Sequence, residues 1–175
     1  MQSEYYLLYF TVYVFSCVSG NTFIPSKTCY IIHSCACSFG NGSVLDLSAL
    51  VGNPRFTLDD PQVEYAYNPC TDFSMGECTN VSACQYLRYE DTYHILGDQE
   101  SAAFVFDTDN EMVILTYYKQ DTYGKIRTAN IQLHCTTDMT DSFIYLGQHK
   151  QLYFKFRLSS RHCCPMQPRS AINWS

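Results

Sequence analysis

The sequence has few charged residues and no run of positive charge. Charged side chains make up 16% of the 175 residues, and seventeen Asp and Glu outnumber eleven Lys and Arg, which leaves a formal net charge of −6. Proteins that bind nucleic acid or an anionic membrane surface present clusters of Lys and Arg to the phosphates. The shortage of positive charge therefore excludes both from the expected partners.

The sequence also lacks the motifs of common catalytic and metal centres. It contains no G-x-S-x-G nucleophile elbow, no complete EF-hand loop and no Cys and His pairs at zinc-site spacing. A Cys–His dyad would need a free thiolate, which a disulfide-bonded cysteine cannot supply. We therefore expect a protein that is not an enzyme, with no catalytic residue, no cofactor and no bound metal.

The one long apolar run lies near the N-terminus. The segment YYLLYFTVYVF (5–15) is uncharged, and the small residues VSG (18–20) follow it. The run falls within the ~7–15 residues of signal peptides and below the ~20 residues of a membrane-spanning helix. We predict a signal peptide over 1–20, cleaved after Gly20, and no membrane span afterwards. An uncleaved anchor is the alternative, because the segment is preceded by Glu4 and by no Lys or Arg.

Cysteine is abundant, at ten residues, of which Cys17 lies in the predicted signal peptide and nine remain in 21–175. So many cysteines are typical of an oxidising compartment. We expect a secreted or lumenal glycoprotein of the endoplasmic reticulum, Golgi, endosome or lysosome. The odd number leaves at least one thiol free or bridged to a protein partner. Glycosylation sequons occur at Asn41, Asn80 and Asn173.

Residues 21–175 have the patterns of a single all-β domain. Tyr and Phe are frequent, at 15 and 11 residues, and short apolar runs are separated by turn sequences such as GNG, VGNP and DTDN. Strands with turn signals at roughly 8–12 residue spacing are typical of β sandwiches and barrels. The pattern predicts strands at 44–50, 63–67, 84–89, 93–96, 102–106, 112–118, 126–135, 143–146 and 152–158.

Arg127 shares the parity of the apolar residues in the clearest predicted strand. In ANIQLHC (129–135) apolar and polar residues alternate, and Arg127 continues the apolar face. A guanidinium on a core face cannot stay unpaired, because burying its charge is costly. It therefore pairs with a carboxylate, or it lies at a barrel mouth where a polar or anionic ligand binds, or it lies beyond the strand end in water.

Seven segments between residues 37 and 165 occur in an order that resembles one lectin family. They are CSFGNGSVLDLSAL, YNPC, CTNVSACQ, YHILG, VILTYY, RTANIQLHC and YFKFRLSSRHCCP. The family is the mannose 6-phosphate receptor homology domain, a carbohydrate-binding module of secretory-pathway proteins. The resemblance implies a flattened β barrel of two orthogonally packed antiparallel sheets, stapled by disulfides, with a mannose-type sugar at one end.

The binding residues of that family have counterparts here. Its Arg lies eight residues before one cysteine, as Arg127 lies before Cys135, and its Tyr lies ten residues before the partner cysteine, as Tyr153 lies before Cys163. Its Gln corresponds to Gln85. By this resemblance the disulfides are Cys37–Cys70, Cys78–Cys84 and Cys135–Cys163, with Cys29, Cys35 and Cys164 left unassigned.

The sequence departs from the family at three points. The family's fourth binding residue is a Glu, but residues 136–152 contain none, and the nearest substitutes are Gln148, Asp138 and Asp141. A neutral amide accepts a weaker hydrogen bond than a carboxylate. Tyr153 also has the parity opposite to its apolar neighbours. The family bridge beside the site is missing, because its positions are held by Thr122 and Gln151.

The sequence therefore predicts a lectin-like domain that binds mannose-type glycans or glycoproteins weakly through Gln85, Arg127, Tyr153 and Gln148. Its biological setting would be glycoprotein sorting, including lysosomal sorting, or quality control. The alternative is a module of the same fold that has lost sugar binding and contacts other proteins.

Overall fold

The computed structural model describes residues 28–121 and 124–167. The predicted signal peptide with its cleavage site, the sequon at Asn173 and position Thr122 lie outside these ranges. Within them, no helix has the length and apolar character needed to cross a lipid bilayer. The helices there are 3-10 turns of three residues each, at Ser48–Leu50, Gln99–Ser101 and Arg161–Cys163.

More than half of the described residues lie in strands and none lies in an α-helix, which confirms the all-β prediction. The strands are β1 Cys29–His33, β2 Ala36–Phe39, β3 Val44–Asp46, β4 Phe56–Asp59, β5 Val63–Tyr67, β6 Phe73–Met75, β7 Cys78–Val81, β8 Ala83–Leu87, β9 Thr92–Gly97, β10 Ala103–Asp107, β11 Met112–Gln120, β12 Ile126–Cys135, β13 Ser142–Gln148 and β14 Tyr153–Ser160.

Each of the nine predicted strands has a counterpart, and those at 63–67 and 126–135 have the predicted bounds. The prediction at 44–50 was too long. The strand ends at Asp46, whose carboxylate accepts a hydrogen bond from the Ser48 backbone N–H at 2.8 Å and so starts a 3-10 turn. Strands β1, β2, β4, β6 and β7 were not predicted, because each is too short to show a clear alternation.

Two larger sheets carry most of the structure. One has five strands in the order β10-β11-β12-β14-β13, and the other has four in the order β4-β5-β8-β9. The first departs from the antiparallel prediction at one pair, because β12 and β14 run parallel. The parallel pairing follows from the path of the chain between β12 and β14. The chain leaves β12, forms β13 at the sheet edge and returns as β14 between the two.

The inner faces of these sheets meet in a core rich in aromatic rings. On β14, Phe154, Phe156 and Leu158 are buried while the residues between them are partly or fully exposed. The ring of Phe156 lies 5.2 Å from that of Phe143 and 5.2 Å from that of Tyr65. Aromatic pairs at such distances add about 0.5–1.5 kcal/mol beyond the burial of their apolar area. This core fixes which side chains face inward at the sheet ends.

The β6–β7 hairpin covers the outer face of the four-stranded sheet. Phe73 and Val81 of the hairpin pack in a small apolar cluster with Ala66 and Cys84 of the sheet. The disulfide Cys78–Cys84 joins hairpin and sheet, and confirms that predicted bridge.

The predicted bridge Cys37–Cys70 is wrong. Strands β1 and β2 form a hairpin that brings Cys37 beside Cys29, and these two are bonded at a Cα–Cα distance of 5.4 Å. Cys35 lies in the turn of that hairpin and takes Cys70 as its partner. Because β1 and β2 were not predicted, nothing in the sequence pattern favoured Cys35 over Cys37.

The predicted bridge Cys135–Cys163 is also wrong. The 3-10 turn after β14 directs Cys163 into the core and leaves Cys164 beside Cys135, with which it is bonded. Cys163 is the free thiol among the described cysteines, as the odd count predicted. Burial, helped by the charge of Asp141, raises the pKa of this thiol to about 12. The Cys163 thiol is therefore protonated, and its burial prevents a disulfide with a protein partner.

The two sequons within the described residues have exposed asparagines. Asn41 and Asn80 lie on the surface, whereas the hydroxyl residues of their sequons, Ser43 and Ser82, are buried. Both asparagines are therefore accessible to carry a glycan, and glycosylation there stays a prediction.

Candidate functional site

Arg127 reaches inward from the beginning of β12 and is paired with a carboxylate. Its side chain is only 12% exposed, and its Nη1 donates a hydrogen bond to Asp121 Oδ2 at 2.7 Å. Of the three arrangements that the sequence left open, the structure shows the carboxylate pair. Asp121 precedes Arg127 across the turn between β11 and β12, so local chain reversal positions the pair.

The Arg127 side chain lines a cavity of about 650 Å³ between β9 and the adjoining ends of β11 and β12. Beyond the cavity, β9 approaches β11 closely at Gly97, where a Cβ atom would lie 2.4 Å from the Cβ of Tyr117. A cavity of this size falls within the range of small-molecule sites. Most of its lining residues carry a polar or charged group, and the lining comprises Glu77, Thr92, Tyr93, His94, Ile95, Lys119, Gln120, Asp121, Lys125 and Arg127.

His94 faces this cavity from β9. Burial and the nearby positive charge of Arg127 lower the pKa of its imidazole, while Glu90 and Asp121 act in the opposite direction. The ring is therefore neutral near pH 7, with one nitrogen that donates a hydrogen bond and one that accepts. Together with Asp121 and Arg127 it gives the cavity donors and acceptors for a polar ligand.

Gln85 lies in the sheet interior rather than in this cavity. It pairs with Tyr65 on one side and His94 on the other, and it is buried. Its Nε2 donates to the Tyr65 hydroxyl at 3.1 Å. Burial and a hydrogen bond with Tyr145 raise the pKa of Tyr65. Tyr65 and Tyr145 line a second cavity of about 460 Å³. Gln85 therefore lies between Tyr65, which lines this second cavity, and His94, which lines the Arg127 cavity.

Tyr153 faces away from Arg127. It pairs with Thr128 in the parallel ladder, whereas the neighbouring pair Ala129 and Phe154 points into the core, on the face of Arg127. The structure therefore does not bring Arg127 and Tyr153 together on one ligand. The opposite parity of Tyr153, visible in the sequence, was the correct signal.

The substitutes for the missing Glu lie in two places. Gln148 is exposed at the end of β13, near the end of the sheet that carries Arg127. Asp138 and Asp141 precede β13 at the opposite end of the sheet, about 26 Å from the Arg127 end along the strands. Asp141 there accepts from Ser160 and pairs with Arg55. Asp138 and Asp141 are therefore too far from Arg127 to replace the missing Glu.

The carboxylate that does lie beside Arg127 is Asp121, and neither it nor His94 was predicted as a site residue. His94 belongs to a predicted strand, but a lone histidine has no motif. A signal for Asp121 was present in its spacing of six residues from Arg127 across a turn. Such spacing becomes informative only once the strand bounds are known.

Comparison of the sequence with family profiles and with characterised proteins gives no match. Among solved structures, the chain is similar to one titled "Solution structure of the MRH domain of Yos9 complexed with alpha3,alpha6-Man5". The identity is 14% and the TM-score 0.43, over 62% of this chain and 75% of that chain. The function proposed below rests on the side chains of this chain and not on that similarity.

Replacement of Arg127 by alanine is expected to raise the pKa of His94 toward its ordinary value of 6.5. The change removes a positive charge and admits water, and both favour the imidazolium. NMR titration of the imidazole measures the shift. Arg55→Ala is the control, because Arg55 pairs with Asp141. An unchanged His94 pKa in Arg127→Ala would show that the two side chains are not coupled.

The same pKa gives a direction for stability. Because the pKa of His94 is lower in the folded chain than in the unfolded chain, the unfolded chain takes up the proton first as the pH falls below 6.5. Acidification through that range therefore removes stability, and Arg127→Ala should reduce this contribution of His94.

Proposed function

We propose that the chain is a lectin-like, non-catalytic domain that binds a mannose-type sugar weakly in the cavity lined by Arg127, Asp121 and His94. The observation that carries the proposal is the arrangement of a guanidinium, a carboxylate and a neutral imidazole around one cavity of about 650 Å³. Sugar hydroxyls both donate and accept hydrogen bonds, and these groups offer both functions on a rigid sheet. The resemblance of sequence segments to a lectin family agrees with it.

Weak binding follows from how the site is already occupied. Asp121 is engaged by Arg127, so a sugar competes with an existing ion pair for the same carboxylate and guanidinium. Gln85 donates to Tyr65, and Tyr153 faces the other side of the sheet. A sugar therefore gains fewer new hydrogen bonds here than at a site with free donors and acceptors.

Calorimetric titration with mannose and with mannose 6-phosphate tests the proposal. We expect millimolar binding by the wild type, and a loss of about tenfold or more in Arg127→Ala, because a charged hydrogen bond contributes roughly 1.5–3 kcal/mol. Arg88→Ala is the control, since Arg88 pairs with Asp59 and Glu64 away from the cavity. Equal affinities of wild type and Arg127→Ala would show that the sugar does not bind in this cavity.

Two observations favour the second candidate, an interaction module that no longer binds sugar. The buried hydrogen bond of Gln85 and the outward direction of Tyr153 leave only Arg127 of the three family-like residues in the cavity. A folded wild type that binds neither sugar at millimolar concentration would support this candidate.

The compartment belongs to the same proposal. Four disulfides among the described residues indicate an oxidising environment, which fits a secreted or lumenal protein. We propose a role in glycoprotein sorting or quality control within the secretory pathway. N-terminal sequencing of secreted material, with Asn21 expected as the first residue, tests the predicted signal peptide.

A further inference from the structure

Four neighbouring strands of this acidic chain contain no acidic residue. Strands β11 to β14 have no Asp or Glu, although the whole chain has a formal net charge of −6. They do contain Lys119, Arg127, Lys155 and Arg157. Arg127 and Lys119 have the inward parity, whereas Lys155 and Arg157 have the parity of Tyr153 and face outward. The outer face of these four strands therefore bears positive charge, whereas Asp107 on the neighbouring strand β10 shares that face.

Two exposed tyrosines lie across that outer face. Tyr118 on β11 pairs with Thr128 on β12, and Thr128 pairs with Tyr153 on β14, so the three share one row. Tyr118 is 53% exposed and Tyr153 is 46% exposed, whereas Thr128 between them is only 4% exposed. Because adjacent strands lie about 4.8 Å apart, the two aromatic residues begin roughly 10 Å apart on a nearly flat surface.

The cations beside this row have no carboxylate partner within 4 Å among residues 28–121 and 124–167. Arg157 donates to the neutral Gln132 Oε1 at 3.2 and 3.4 Å. Lys155 lies opposite Gly147, above which the space is open. The positive charge of Lys155 helps to lower the pKa of Asp107 on β10. The Asp107 carboxylate accepts a hydrogen bond from the side chain of Asn110 in the following turn.

We propose that the outer face of β11, β12 and β14 binds an acidic glycan. The apolar faces of two pyranose rings stack on Tyr118 and Tyr153, and carboxylate or sulfate groups accept charged hydrogen bonds from Lys155 and Arg157. Aromatic rings supply contact area at little cost in side-chain entropy, which suits a flat surface. This surface lies on the side of the sheet opposite the Arg127 cavity and is independent of it.

Charge complementarity selects this occupant. A second copy docked symmetrically through the same patch would place Lys155 and Arg157 against like charges. A neutral glycan would use the tyrosines but leave both cations unpaired. The disulfides indicate a secreted or lumenal location, where acidic glycans occur.

The test is calorimetry with a heparin hexasaccharide and a neutral cellulose-derived hexasaccharide of the same length. We expect the wild type to bind the sulfated ligand with an affinity that falls as salt is raised, and to bind the neutral one much more weakly. Tyr118→Ala, Tyr153→Ala and Lys155→Glu should each weaken binding of the sulfated ligand, the last by about tenfold or more. These side chains are at the surface, so the variants should fold.

Matched controls lie elsewhere on the surface. Tyr89→Ala removes a tyrosine that is 99% exposed, and Arg88→Ala removes a cation beside the four-stranded sheet, where Arg88 pairs with Asp59 and Glu64. Both should retain wild-type affinity for the heparin hexasaccharide, as should Arg127→Ala, which tests the cavity separately. A loss in Arg88→Ala as large as that in Lys155→Glu would overturn the proposal in favour of diffuse charge attraction. It would also be overturned by equal affinity for both hexasaccharides, by no binding, or by a concentration-dependent dimer that Tyr153→Ala abolishes.

Discussion

Truncation of Phe156 to alanine is expected to lower the free energy of unfolding by about 3–5 kcal/mol, the usual cost of removing a buried aromatic ring. Phe156 is only 1% exposed, and its ring lies within 5.2–5.4 Å of the rings of Phe143, Tyr65 and Tyr145. The lost ring belongs to both sheets' shared core, so the remaining side chains cannot close the cavity without moving a strand.

Urea unfolding followed by circular dichroism measures this effect. Tyr89→Ala is the control, because its side chain is exposed and should change the free energy of unfolding by less than about 0.5 kcal/mol. Phe156→Leu should fall between the two. A loss below about 1 kcal/mol in Phe156→Ala would contradict the aromatic core described here.

Removal of the Cys35–Cys70 disulfide is expected to have a comparable effect. This bond closes a loop with a sequence separation of 35, and the chain-entropy relation gives a stabilisation of about 4 kcal/mol. Cys35→Ala together with Cys70→Ala should therefore lower the free energy of unfolding by about that amount. Thermal and urea unfolding under oxidising conditions measure it.

A shorter disulfide provides the control. The Cys78–Cys84 bond has a separation of 6, so its removal should cost about 2 kcal/mol by the same relation. A larger loss from the short loop than from the long one would contradict the entropic account.

The variants also test which cysteines are paired. Cys35→Ala with Cys70→Ala should add no alkylatable thiol to the denatured protein. Cys37→Ala with Cys70→Ala should instead leave Cys29 and Cys35 without their partners. Mass spectrometry after alkylation without reduction counts these thiols, and new thiols in the first variant would show that Cys35 is not the partner of Cys70.

Strands that alternate between core and surface could be predicted from the sequence. β12 was predicted with its observed bounds because apolar and polar residues alternate over its length, and its inward Arg127 followed from the same parity. The turns between strands were visible because Gly, Pro, Asn and Asp cluster there. Local patterns were enough for these features.

Features that depend on contacts between distant segments could not be predicted. Cys35 and Cys37 differ by two positions in sequence, and only the β1–β2 hairpin decides which one lies next to Cys29. The 3-10 turn after β14 likewise decides between Cys163 and Cys164. The cavity beside Arg127 depends on the close approach of two sheets, which no single strand pattern records.

The position of β14 has a consequence for synthesis of the chain. Because β14 lies between β12 and β13, the five-stranded sheet is incomplete until β14 has left the ribosome. Until then β12 presents an unpaired strand edge to its surroundings, and such edges promote misassociation. The β13–β14 hairpin is local in sequence but marginal on its own, so its docking onto β12 is the step that completes the sheet. During this interval the nascent chain should depend most on chaperones.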